Sequence, residues 1–404
     1  MHLFINSLAA SAGGGLTYIR NVLPYLAEDP RLRVTVALSS DLREEFRHYR
    51  NIDLLDVKAP VARRFWYEQS TLPEIIRRSG ADVLLSTGNV ALRRSPVPQI
   101  LLSRNSIYLS KDFYRDLLAR HEYRAWLDTH LRGFIARKSI AWADITVAPS
   151  EAFAAELQRW AGRQVLAIHH GFDPEGFRRT SIPFAPEVEE KLGAARDCLK
   201  LLFVSHYNYY RNFETLIRAL PLLRDRLPNR SIKLLLTCSL SPGKNPGAYD
   251  PETAAQLAKK IGASDMIVEL GSIPYHQLGQ LYARASVYVT PAYTETFAHP
   301  LVEAMASGLP IVASDLAVHR EICSDAAEYF PKFSAQDLAE ALARVISSPE
   351  TARRMSAAGL QRSGDFSWKA HVERILELCT ALLDPGGQKR PLEETVPNSH
   401  ARSA

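Results

Sequence analysis

The chain of 404 residues is too long for one ordinary core and, at roughly 100–200 residues per domain, predicts two domains. Hydrophobic residues at 46% and charged residues at 23% give the balance of a soluble globular protein, which excludes a mainly disordered, collagen-like or disulfide-framework chain. The net charge of +5 is mild and does not by itself imply nucleic acid, yet residues 101–140 hold eight basic against four acidic side chains and so carry +4 of it.

The first residues, Met1-His2-Leu3-Phe4-Ile5-Asn6, run straight into an apolar strand without a basic leader or a signal-peptide core. A cytosolic protein is expected, attached to a membrane surface at most. Short apolar strands then alternate with amphipathic helices, the pattern of parallel-sheet α/β domains. Strands are expected at 2–6, 34–37, 83–86, 99–102, 145–148 and 165–168, with helices at 16–26 and 67–78. A stretch with Pro174, Pro183 and Pro186 breaks the rhythm and reads as a linker. The pattern resumes with strands at 200–204, 232–236, 266–270, 287–290 and 311–313, and helices at 212–224, 251–261, 275–284 and 301–307. The expected division is an N-terminal domain over 1–172, a linker over 173–198, a C-terminal domain over 199–383 and a disordered tail over 384–404. Cys198, Cys238, Cys323 and Cys379 lie far apart with no Cys-x-x-Cys pair, so no zinc site or disulfide framework is expected, and a reducing compartment fits best.

The segment Glu295-Thr-Phe-Ala-His-Pro-Leu-Val-Glu303-Ala-Met-Ala-Ser-Gly308-Leu-Pro310 follows the strand expected at 287–290. Loops at that edge of an open α/β sheet bind ligands. With Pro300 as the first helical residue, the free N–H groups of Leu301, Val302 and Glu303 are expected to face the cleft as a diphosphate site. Glu295 and Glu303 bracket it and are placed to accept hydrogen bonds from sugar or ribose hydroxyls. Near the N-terminus, Gly13-Gly14-Gly15 follows the first strand and opens a helix, which lets a phosphate or sugar approach the backbone.

The Glu-x7-Glu string resembles the signature of glycosyltransferase family 4, the large retaining family with the GT-B fold. Gly271-Ser272-Ile273-Pro274, Phe203-Val204-Ser205 before Arg211-Asn212, Pro149-Ser150-Glu151, His170-Gly171-Phe172-Asp173 and Phe366-Ser367-Trp368 are similar to further segments of that family. The resemblance implies two Rossmann-like parallel-sheet domains facing across a cleft, with the last helix crossing back to the N-domain. It implies a nucleotide-diphosphate-sugar donor held by the C-domain and a glycan or lipid-linked acceptor at the N-domain, with no metal, no cofactor and no nucleic acid. Glu303 would hold the ribose, Glu295 the transferred sugar and Ile273 the base through its backbone, beside Phe297, Ala298, Leu301 and Val302. Arg211 and the Gly14–Gly15 amides would stabilise the departing diphosphate.

The chain departs from the family pattern at three places. His206 stands where an Arg is usual, Thr296-Phe297-Ala298 stands for Gly-Phe-Gly, and Ser103-Arg104-Asn105 replaces a His, leaving Arg104, Asn105 and Gly13 as acceptor-side candidates. The basic, aromatic segment 113–138 reads either as a solvated helix pair beside the acceptor cleft or as a peripheral contact with an anionic membrane. A non-catalytic sugar-nucleotide-binding subunit and a sugar-nucleotide epimerase of the same fold are the alternatives.

Overall fold

The computed structural model describes residues 1–10, 14–39, 42–57, 63–178, 182–245 and 249–384. Gly13 and the tail from residue 385 onward, about which expectations are stated above, lie outside the described residues.

The N-terminal sheet contains β1 (His2–Asn6), β2 (Arg33–Ser39), β3 (Ile52–Val57), β4 (Val83–Ser86), β5 (Gln99–Leu102), β6 (Ile145–Ala148) and β7 (Leu166–Ala167). All are parallel, in the order β3-β2-β1-β4-β5-β6-β7. Leu3, Phe4 and Ile5 of β1 are buried, as are Leu84 and Leu85 of β4, because helices cover both faces. The second sheet contains β8 (Leu199–Phe203), β9 (Ile232–Leu236), β10 (Ile267–Glu269), β11 (Val287–Thr290), β12 (Ile311–Ser314) and β13 (Ala327–Phe330), in the parallel order β10-β9-β8-β11-β12-β13. In both sheets the strand order reverses next to the first strand, between β1 and β4 and between β8 and β11. A doubly wound sheet opens a crevice at that place, outside the carboxyl ends of its strands.

β3 and β13 were not expected from the sequence. Both are outer strands, and β3 carries exposed Asp53 and Asp56 that interrupt its apolar run. The segment expected as a linker holds two helices, Pro174–Arg178 and Pro186–Ala194. The second docks on the C-domain: Val188 and Leu192 are buried, Lys191 Nζ donates to the Glu269 carbonyl at 2.9 Å, and Arg284 pairs with Glu189 at 2.6 Å.

The last helix, Trp368–Leu383, lies against the helix Gly14–Glu28 of the N-domain. Its Trp368, Val372, Ile375, Leu378 and Cys379 share one apolar cluster with Leu3, Ile5 and Tyr18. The chain reaches that position past Gly171, where an added Cβ would stand 1.9 Å from the Trp368 nitrogen. The Phe172 N–H donates to the Phe366 carbonyl at 3.1 Å.

Polar contacts also join the domains. Ser150 caps the helix Glu151–Ala161 and donates its hydroxyl to the Thr296 carbonyl at 2.7 Å. Glu321, from the C-domain, accepts the Glu151 and Ala152 N–H groups at 2.8 and 2.7 Å, and its Oε1 lies 2.6 Å from His169 Nε2.

Candidate active site

The site is built where β8 and β11 end. After β8 the chain turns through Tyr209–Arg211 into Asn212, which takes the left-handed conformation that Asn tolerates better than most residues. Asn212 Nδ2 donates to the Pro291 carbonyl at 3.0 Å, and its Oδ1 accepts from Thr215 at 2.8 Å. This ties the β8 loop to the β11 loop and brings Arg211 onto Glu295, with which it forms an ion pair. Glu295 Oε1 accepts the Thr296 N–H at 3.0 Å. Burial disfavours the Glu295 carboxylate, but the Arg211 charge and the Thr296 amide outweigh it and hold the carboxyl below its ordinary range. Arg211 stays cationic by the same pairing, and its buried Nε has no partner.

His206, on the same loop, is exposed. Local desolvation and the neighbouring Arg211 charge lower its pKa, which disfavours the cationic form.

The helix after β11 runs from His299 to Ala306, so it starts one residue before Pro300, the expected first helical residue. Pro300 is its second residue, Leu301 donates its N–H to the Ala298 carbonyl at 2.9 Å, and Val302 and Glu303 lie within the helical ladder. The expectation that Leu301, Val302 and Glu303 offer free amides is therefore corrected. The amides without a partner among the described residues are those of Phe297, Ala298 and His299. They are left open because Ala298 turns into the left-handed region at φ 64° and no side chain caps the helix. Glycine fits that conformation at no steric cost, which accounts for the Gly of the family pattern; Ala298 holds it under strain. The Phe297, Leu301 and Val302 side chains are buried, so only their backbone can meet a ligand.

Glu303 is 4% exposed. Tyr282 donates to its Oε2 at 2.8 Å, and no described residue donates to Oε1. Burial pushes its pKa up to about 7. Ile273 is half-buried against the apolar cluster that includes Leu301, two residues after Gly271 at φ 76°.

From the N-domain, Gly14 opens its helix with no atom near an added Cβ, whereas a Cβ on Gly15 would meet Ala10 Cα at 3.1 Å. Arg104 donates to the Gly14 and Thr87 carbonyls, both at 2.7 Å, and its guanidinium lies 5.0 Å from the Tyr18 ring centroid. Arg104 thus clamps the glycine turn to the loop after β4, with its buried Nε still unpaired. Burial lowers its pKa to about 10, which leaves it charged. Asn105 uses its Oδ1 on the Ile107 N–H at 3.3 Å, a capping contact.

Two side chains not singled out in the sequence join this floor. His170 and His299 sit with ring centroids 5.2 Å apart, and both ring nitrogens of His170 and Nε2 of His299 are buried without partners. Burial holds His299 at about 4 and His170 well below its ordinary value, so both are neutral. Nothing in their spacing announces this, because the domains bring together residues 129 positions apart. Among the described residues no group of three or more His, Cys, Asp or Glu could hold a metal ion.

Two family models match the chain: Glycosyltransferase Family 4 over residues 12–175 and Glycosyl transferases group 1 over residues 185–362. The chain belongs to glycosyltransferase family 4. It is 28% identical over 239 residues to the D-inositol 3-phosphate glycosyltransferase of Kribbella flavida, covering 58% of this chain and 55% of that one. The enzyme of the same name from Thermobifida fusca is 28% identical over 243 residues, covering 59% and 55%. The chain thus spans about half the length of the curated relatives it matches. The GT-B fold extends further: sucrose-phosphate synthase from Thermosynechococcus elongatus superposes with a TM-score of 0.76 at 18% identity, over 95% of this chain and all of that one. Anabaena HepE, in its complex with UDP-glucose, gives 0.70 at 16% identity over 94% and 100%.

Proposed function

We propose that this family 4 chain transfers a sugar from a nucleoside-diphosphate sugar to an acceptor hydroxyl, retaining the anomeric configuration and using no metal. The observation that carries the reading is the buried Arg211–Glu295 pair beside three unpaired amides at Phe297–His299. The amides and Arg211 Nε offer donors to a diphosphate as its charge develops, where preorganised donors count most. Glu295 is ionised and accepts sugar hydroxyls; Glu303 Oε1 accepts a ribose hydroxyl; the Gly14 and Gly15 backbone approaches from across the cleft. The bond from the anomeric carbon to the β-phosphate oxygen breaks, the acceptor oxygen bonds to the same face, and its proton passes to the departing phosphate. That HepE was solved with UDP-glucose supports a nucleotide-sugar donor. A glycan or lipid-linked acceptor of bacterial polysaccharide, lipopolysaccharide or glycolipid assembly is the class proposed.

The test is a thermal-shift screen against UDP, GDP, ADP and their sugar conjugates with and without EDTA, followed by NMR of the product's anomeric proton. The expected result is an EDTA-insensitive shift with one base and a product of retained configuration. Glu295→Gln and Arg211→Met should each lower kcat by roughly 100-fold or more. An inverted product, or folded variants with unchanged kcat, would overturn the mechanism. A protein that binds a nucleotide sugar but never turns it over is the non-catalytic alternative.

A further inference from the structure

The helix Tyr123–Trp142 is apolar on two sides. Toward the domain it fully buries Thr129, Gly133, Ala136, Ser139 and Ile140 and packs half-buried Trp126 and Trp142 on the core. The side chains it turns outward are large and apolar: Tyr123 is 60% exposed, Leu127 55%, Leu131 58% and Phe134 62%. At about 100° per residue these four fall within a stripe of about 80° on one face. Arg137 flanks the stripe on one side and Arg124 on the other, and Lys138 holds its ammonium 5.6 Å from the Phe134 ring centroid. All three cations are exposed and form no ion pair among the described residues, whereas Arg132, on the far face, is neutralised by Asp128 at 2.8 Å. A helix that was merely solvated would turn its polar side outward.

We propose that this helix seats the chain on an anionic bilayer, with Tyr123, Leu127, Leu131 and Phe134 in the headgroup–acyl boundary and Arg124, Arg137 and Lys138 on lipid phosphates. The charge selects the occupant. A second copy docking symmetrically would set this cationic face against itself, while an anionic surface complements it. No described helix is long and apolar enough to cross a membrane, so the contact lies on the surface. Gly133 faces Tyr108, where an added Cβ would stand 3.4 Å from the tyrosine, four residues beyond Arg104. On the transfer reading, on which this last step rests, a lipid-linked acceptor reaches the cleft from the seated side.

The test is co-sedimentation of the full chain with vesicles of phosphatidylcholine, alone or mixed with phosphatidylglycerol, at low and physiological salt, with no donor present. Binding to the anionic vesicles should exceed binding to the neutral ones by roughly tenfold and weaken with salt. The triple variants Leu127→Gln/Leu131→Gln/Phe134→Gln and Arg124→Gln/Arg137→Gln/Lys138→Gln should each reduce it by roughly tenfold while keeping the parent's circular dichroism, since the side chains are exposed. Absent binding, binding indifferent to lipid charge, or binding untouched by both variants overturns the proposal. A concentration-dependent dimer broken by the apolar variant, without vesicle binding, overturns it in favour of a second copy. Vesicle binding without sugar transfer leaves this proposal standing and removes the transfer reading alone.

Discussion

Glu303 is a carboxyl in an apolar wall with one phenol as its partner, and that combination has a measurable pH signature. Below its ordinary value of 4.5 the folded and unfolded chains both carry the proton. From there up to about 7 the unfolded chain releases it and the folded chain keeps it, so stability falls as pH rises through this window. Above it the folded chain holds a buried anion at a cost on the order of 3 kcal/mol. Glu303→Gln should therefore leave the urea midpoint unchanged at pH 4.5 and raise it at pH 8, while weakening nucleotide binding; an equal shift at both pH values removes the titration of Glu303 as the cause. The two glutamates were legible in the sequence because their spacing lies within one short segment. Arg211 was named from the sequence as the cation for the diphosphate, but not as the partner of Glu295. Arg211 meets it through the Asn212 bridge to Pro291, a contact that no local pattern encodes. His170 and His299 were missed for the same reason.

At the scale of elements, apolar runs made the inner strands readable, whereas the helices Glu151–Ala161, Ala317–Cys323, Ala335–Ser347 and Pro349–Ser363 were not among those expected, and other errors fell at edges and starts. β3 was lost to its two aspartates, and the helix at His299 was misplaced because a proline suits both the first and second helical positions. Gly171 marks where two elements leave no room for a side chain. Gly171→Ala should destabilise the chain by roughly 3 kcal/mol by pushing the last helix off its seat. The same change at Gly193, inside a helix and facing open space, should stabilise it by about 1 kcal/mol. Urea denaturation of both variants checks the pair, and equal effects would show that the close approach to Trp368 is tolerated.

At the scale of the whole molecule, Ser150 and Glu321 fasten the domains, and Ser150 does so at the carbonyl next to Glu295. Loss of both contacts in Ser150→Ala/Glu321→Ala should raise the radius of gyration of the free chain in small-angle scattering and, on the transfer reading, slow turnover. An unaltered radius would assign the fastening to the packing of the last helix on the N-domain instead. The two-domain architecture was legible from the alternation of strands and helices; the fastening was not, because it depends on how two separately folded surfaces meet.

The crossing of the last helix has a consequence for how the protein is made. The cluster around Leu3, Ile5 and Tyr18 is completed by Trp368, Val372 and Ile375, so the N-domain lacks part of its core until residues 368–383 have been made. Until then the face of the helix Gly14–Glu28 that the last helix covers lacks its partner. The last packing step of the N-domain therefore waits on the helix Trp368–Leu383, from the far side of the C-domain in sequence.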